Sequence, residues 1–297
     1  MEIIAVSGTA MVVRAVIFGL FMTWGVGAND LANAMGTSVG AGAVTVKQAI
    51  GIAIIFEFLG AVLAGGHVTQ TIRKGIIDPT PIISHPEILV FGMLASLLAA
   101  AVWLMLASAK GWPVSTTHSI VGAIVGFAIV GIGPEAVKWD KIIEVVVSWI
   151  ISPAVGGVLS FLLVMSTRKL ILDTETPLKN AKKYAPCYVF LVGFIISLVT
   201  MFKGLKQLNL DLSIGGSIFA AICFGVLTGF IGWLFIRKVK EHEDDDRTFQ
   251  FASVEKVFTP MMLFTACSMA FAHGSNDVAN GIGPLAAVIS IVGSGGE

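Results

Sequence analysis

Charged residues are the first thing this chain is short of. Asp, Glu, Lys and Arg make up 13% of its 297 residues, about half the share found in an ordinary soluble domain, and mean hydropathy is +0.89. That balance excludes a soluble globular protein. Lys+Arg and Asp+Glu number 19 each, so net charge gives nothing to attract nucleic acid, and no nucleic-acid partner is expected. Cysteine is scarce too. Cys187, Cys223 and Cys267 stand apart in apolar runs without paired spacing, the pattern of small core residues rather than of a metal or redox centre. No Gly-x-Ser-x-Gly elbow, Walker loop, His-Glu-x-x-His or dinucleotide fingerprint occurs. ATP hydrolysis and intramembrane proteolysis are therefore without support, the chain is not read as an enzyme, and no cofactor is expected. The apolar runs do not alternate with polar residues, which excludes a β-barrel. The first residues enter an apolar run without a cleavage-site pattern, so no removable signal peptide is expected.

What is present is a series of apolar runs, several of roughly 18 to 25 residues and long enough to cross ~30 Å of hydrocarbon. They extend from about Ile3 to Trp24, Gln48 to Gly65 and Ile88 to Ser108, then from the Lys110–His118 region to near Gly133 and on to about Ser166. Further runs cover Pro186 to Phe202 and Ile214 to Ile236, and a last one starts at Phe258. Lys and Arg concentrate in the linker at 167–185 and in the charged stretch from Arg237 to Lys256, which places both on the cytoplasmic side. Counting spans outward from these linkers treats Trp112–His118 as a turn between two full spans. The expected architecture is an all-α polytopic membrane protein in the lipid bilayer of the cell membrane. It would have inverted-topology repeats and broken helices at mid-membrane. Residues 1–166 form the first repeat, 167–256 the intervening spans and charged linkers, and 257–297 the start of the second repeat. The acidic run Glu241–Asp246 reads as a solvated loop.

The repeat is visible in one short motif. Gly27-Ala-Asn-Asp-Leu-Ala-Asn-Ala34 returns as Gly274-Ser-Asn-Asp-Val-Ala-Asn-Gly281, pairing Asn29 with Asn276, Asp30 with Asp277, and Asn33 with Asn280. Each copy follows an apolar run, where an Asp costs about 2.5 to 3.5 kcal/mol on insertion scales and persists mainly at functional sites. Gly25, Gly27 and Gly36 in one copy, and Gly274, Gly281 and Gly283 in the other, predict unwound helix whose carbonyls turn into a cavity. Carbonyl, amide and carboxylate oxygens together suit a hard cation. Helix capping by Asn and Asp would use the same residue types, but the antiparallel duplication favours a cation site.

A second polar feature, Pro113-Val-Ser-Thr-Thr-His118, reads as a helix start inside apolar sequence, with Ser115 as its cap. Free N–H groups and three hydroxyls there could cradle an oxyanion. A hydroxyl-rich cap bonded to its own turn fits equally well. His118 reads as a hydrogen-bonding scaffold ahead of a proton relay. Glu57, in the middle of an apolar span, needs a partner or an aqueous cavity, and both gating and a buried structural bond fit it. His67 and His273 flank apolar segments and point to no role.

These motifs, together with Phe56-Glu57 and Thr71-Ile-Arg-Lys-Gly75, resemble the inorganic phosphate transporter (PiT) family of symporters. The likeness covers the first repeat wholly and the second at its beginning. It implies a symporter of inorganic phosphate coupled to sodium by alternating access, and a homodimer. By position, the resemblance assigns Ser115, Thr116, Thr117, Asn33, Ser275 and Asn280 to phosphate, Asn29, Asp30, Asn276 and Asp277 to sodium, and Glu57 to gating or coupling. Cations between Asp30, Asp277 and the substrate would remove the repulsion between carboxylates and an anion. Proton or metal coupling, or sulfate as substrate, is the alternative; a channel is a more distant one.

Overall fold

A computed structural model of the chain describes residues 2–78, 80, 85–204, 213–239 and 247–295. The acidic run 241–246 and the side chains of His67, Arg73 and Lys74 lie outside what is described. The described residues are almost entirely helical, with one isolated bridge between Ile77 and Val137. Apolar sequence without external hydrogen-bond partners dictates this, because a helix satisfies its own backbone. Seven helices among the described residues are long and apolar enough to cross a membrane.

In chain order the helices are α1 (Glu2–Gly40), α2 (Val46–Ala64), α3 (Gly66–Lys74), α4 (Pro86–Ala109) and α5 (Thr116–Gly131), followed by α6 (Trp139–Thr167), α7 (Pro177–Val199), α8 (Ile214–Ile236), α9 (Arg247–Asn276) and α10 (Ala279–Gly293). Several depart from the sequence reading, among them α9, which begins at Arg247 within the stretch read as a charged linker. α1 runs unbroken through Gly25, Gly27 and Gly36, so the helix break expected at the first motif is absent. α5 has 16 residues, or about 24 Å of helix, and is shorter than the full span assigned to it. α7 starts at Pro177 and carries Pro186 inside it, so part of the expected cytoplasmic linker is helix. Pro177 at the first helical position needs no amide partner there, and Lys179, Lys182 and Lys183 can extend their charged ends to the membrane surface.

The chain forms two compact units. One comprises Met1–Thr37, Lys47–Val146 and Met269–Glu297; the other comprises Ser38–Val46 and Val147–Ser268. In the first unit α4 packs on α5, and α10 packs on α3 and α4. Met11, Met22, Met93, Leu97, Leu104, Ile120, Ile124 and Val288 are buried there. Gly25 faces Leu104 of α4, with room for little more than a hydrogen, so this glycine serves close helix packing and not unwinding. The second unit pairs α7 with α8 over Leu178, Ala181, Ala185 and Ile236.

Two glycines bring α2 and α9 into backbone contact. A side chain on Gly60 would strike the Phe271 carbonyl, and one on Gly274 would strike the Glu57 backbone. This reciprocal approach sets Glu57 beside the end of α9, where the second motif begins.

Candidate functional site

Both motif copies meet the start of α5. Between α4 and α5 the chain reverses through Gly111, whose φ of +68° favours glycine. Asn29 holds this turn in place: its Oδ1 accepts the Val114 N–H at 3.1 Å, and its Nδ2 donates to the Trp112 carbonyl at 3.0 Å and to Ser108 Oγ at 3.3 Å. The amide is buried and engaged at both ends. α1 can stay helical through the motif because Asn29 finds partners outside its own backbone.

Ser115 caps α5, its Oγ accepting the His118 N–H at 3.2 Å. That is the local alternative weighed for this residue. The next two hydroxyls reach across to the two motifs. Thr116 Oγ1 donates to Asp30 Oδ2 at 2.8 Å, and Thr117 Oγ1 donates to Asp277 Oδ1 at 3.1 Å.

In the second copy the helix does break. α9 ends at Asn276, Asp277 and Val278 form a turn, and α10 begins at Ala279. The Asp277 N–H still bonds to the His273 carbonyl at 2.8 Å, and Asp277 in turn accepts the Asn280 N–H at 3.1 Å. Asn280 is fully buried. Its Nδ2 lies 3.2 Å from Thr116 Oγ1, 3.1 Å from Thr117 Oγ1 and 3.4 Å from Asp277 Oδ1.

His273 joins these groups to Glu57. Its Nδ1 is 2.9 Å from Glu57 Oε1, while Nε2 is 3.6 Å from Asp277 Oδ2 and 3.9 Å from Asp30 Oδ2. Side-chain exposure is 8% for His273, 14% for Asp30, 18% for Asp277 and 20% for Glu57. Three carboxyl groups against one imidazole leave a surplus of formal negative charge in a sheltered place, which favours a bound cation. A cleft of about 300 Å³ lies beside this cluster, and Glu57 is the ionisable residue on its wall.

Of the residues singled out from sequence, the fold brings together Asn29, Asp30, Thr116, Thr117, Asp277 and Asn280, with Glu57 reached through His273. Others stand aside. Ser115 is occupied in the cap, Ser275 Oγ donates to the Ala272 carbonyl at 2.8 Å, Asn33 is exposed, and Asn276, also exposed, touches only the edge of the cluster, its Nδ2 donating to Asp277 Oδ1 at 3.4 Å. His273 is the residue that sequence reading passed over. Its one local signal is its position four residues before Asp277, which puts both on one helical face.

Among the described residues, almost entirely helical with seven apolar spans, a sheltered polar cluster lined by paired motifs fits a multi-pass membrane transporter. The particular family follows from comparison: a sequence profile of the phosphate transporter family matches residues 26–297. The chain belongs to that family. It is 51% identical over 297 residues to a protein of Haemophilus influenzae described as a phosphate permease, covering 100% of this chain and 70% of that one. With the chloroplastic inorganic phosphate transporter 2-1 of Arabidopsis thaliana it shares 41% identity over 296 residues, covering 94% of this chain and 50% of the relative. A solved structure titled "The sodium-dependent phosphate transporter" superposes with a TM-score of 0.85 at 39% identity, covering 96% of this chain and 69% of that one. Phosphate transport is thus the activity that the family carries.

Proposed function

We propose that this protein is a sodium-coupled symporter of inorganic phosphate that works by alternating access between inverted repeats in the cell membrane. The observation that carries this reading is the pair of hydroxyl bridges, from Thr116 to Asp30 and from Thr117 to Asp277. Each threonine has a single hydroxyl proton, and each gives it to a carboxylate here. Sodium at Asp30 and Asp277 takes over those oxygens and frees both protons for an anion at the N-terminus of α5. Backbone N–H groups and the helix dipole already favour negative charge there. Cation binding thereby prepares the phosphate site, which is a physical cause for coupling. Asn280, donating toward both hydroxyls, keeps them in register. Glu57, on the cleft wall and bonded to His273, senses in this reading whether the carboxylates are occupied. A homodimer, implied by the family resemblance, belongs to the same proposal.

Uptake of labelled phosphate into proteoliposomes tests the reading. Concentrative uptake is expected with an inward sodium gradient and not with a proton gradient alone. Accumulation driven by protons without sodium would replace sodium coupling with proton coupling, for which the imidazole among the carboxylates is the favouring observation. Currents that follow the phosphate gradient without accumulation would point to a channel.

A further inference from the structure

α7 and α8 pack closely because glycines line their contact: a side chain on Gly225 or Gly229 would press on Phe190, and one on Gly232 would press on Val189. The start of α9 joins this pair, with Val254 and Val257 buried in one cluster with Ala185 and Ile236. Next to that contact the three helices leave a cleft of about 420 Å³. Val189 and Val192 of α7, Phe235 of α8, and Met261 and Phe264 of α9 line it. Thr228, also on the wall, spends its hydroxyl proton within its own helix, on the Gly225 carbonyl at 2.9 Å. The interior therefore meets an occupant with hydrocarbon.

The cleft follows α8 from Thr228 to Ile236, about 12 Å of helix. A further helix 10 Å across would need roughly 900 Å³ over that length, more than twice the space present, whereas a hydrocarbon chain fits. The open side carries charge. Phe235 and Pro260 are wall residues that remain exposed. Lys238 follows Phe235 by three residues and Lys256 precedes Pro260 by four, spacings that keep each lysine on the side of its neighbour. Lys238 Nζ lies 5.6 Å from the Phe235 ring centroid. Both lysines are exposed, at ends of α8 and α9 that the distribution of Lys and Arg assigns to the cytoplasmic side. Arg237 differs: it sits 4.9 Å over the ring of Trp233, which does not line the cleft.

We infer that this cleft binds one anionic glycerophospholipid of the cytoplasmic leaflet, with an acyl chain against Val192 and Met261 and its phosphate between Lys238 and Lys256. Two lysines over an apolar slot match a molecule that joins a hydrocarbon chain to a negative head group, and the cytoplasmic leaflet supplies such lipids. Bilayer hydrocarbon competes for the cleft on equal terms, so the chain gains only packing and the lysines decide which head group stays. Each lysine at a membrane surface is worth about 5-fold in affinity for an anionic lipid, and the pair about 25-fold. The occupant rests on α9, whose far end carries the second Asn-Asp motif. Sodium coupling plays no part in this inference.

Phosphatidylglycerol with a photoreactive diazirine on one acyl chain tests it on the purified full chain in detergent. Saturable labelling of the peptides that hold Val192 and Met261 is expected. Unlabelled phosphatidylglycerol should compete about 25-fold better than phosphatidylcholine with the same acyl chains, and inorganic phosphate should not compete. Lys238→Gln combined with Lys256→Gln should remove that preference, while Arg237→Gln keeps it. Met261→Trp fills the cleft and should abolish the labelling. Gel filtration and circular dichroism establish that this variant is folded, and if it is not, the exposed lysine pair decides. Equal competition by the two lipids, a preference unchanged in the lysine variant, or an equal loss in Arg237→Gln overturns the site. So does labelling retained in folded Met261→Trp, labelling confined to other helices, or displacement by inorganic phosphate.

Discussion

The two copies of the Asn-Asp motif share their letters and differ in their backbones. In the first, α1 passes straight through. In the second, the helix stops at Asn276 and restarts at Ala279. The asparagines exchange roles to match. Asn29 is buried and Asn33 exposed in the first copy, whereas in the second Asn276 is exposed and Asn280 is fully buried. The glycines differ as well: Gly27 faces open space, while its counterpart Gly274 lies against the backbone of Glu57. What stays constant is the aspartate, which in each copy accepts a threonine hydroxyl from the start of α5. Symmetry at this site belongs to the carboxylates, and the surrounding residues adapt to two different helix geometries.

The aspartates should give the largest and most equal effects. Asp30→Asn and Asp277→Asn each keep an oxygen that accepts the threonine proton, so the fold is expected to survive while concentrative phosphate uptake is lost. Losing a charged hydrogen-bond acceptor is worth about 1.5 to 3 kcal/mol, which corresponds to roughly a 10- to 100-fold loss of apparent sodium affinity. Full sodium dependence retained in both variants would remove the proposed cation role, and retention in one alone would break the equivalence of the copies.

Next come the asparagines, where unequal effects are expected. Asn29→Ala removes the hydrogen bonds to the Val114 N–H and the Trp112 carbonyl, both part-buried, and each loss costs about 0.5 to 1.5 kcal/mol. The exposed counterpart, Asn276→Ala, should change stability by no more than about 0.5 kcal/mol. Thermal unfolding in detergent measures both, and similar losses would mean that the turn before α5 does not depend on Asn29.

The two glycines should give effects of opposite sign. Gly274→Ala pushes α2 and α9 apart, an overpacking cost of about 1 to 3 kcal/mol. It should also weaken the contact between Glu57 and His273. Gly27→Ala meets nothing within 4 Å and should stabilise the helix by about 0.5 to 1 kcal/mol. A lower melting temperature for Gly27→Ala would show that the first motif leaves its helical form in some working state of the transporter.

Helices were the readily legible part of the fold, because length and hydropathy decide them locally. Their ends were less so. The run of Lys179, Lys182 and Lys183 resembled a linker in composition, yet it lies on α7. Long basic side chains are compatible with a helix that emerges at a membrane surface. The run opening at Ser115 resembled a full span, yet α5 stops after 16 residues. At the site, Asp30, Asp277, Thr116 and Thr117 could be picked out because polar groups are costly in apolar sequence. His273 could not, since its meaning comes from Glu57, 216 residues away in the chain.

The sequence by itself determined a polytopic helical membrane protein with a duplicated polar motif, and its residues carried the family likeness. Those properties depend on composition and local pattern. Tertiary structure decided which copy of the motif breaks its helix, which asparagine of each copy is buried, and that His273 stands among three carboxyl groups. The reason is physical. A glycine or an asparagine permits several local conformations, and the choice among them is made by contacts from other helices, here by Val114 and Trp112 on Asn29 and by Glu57 against Gly274.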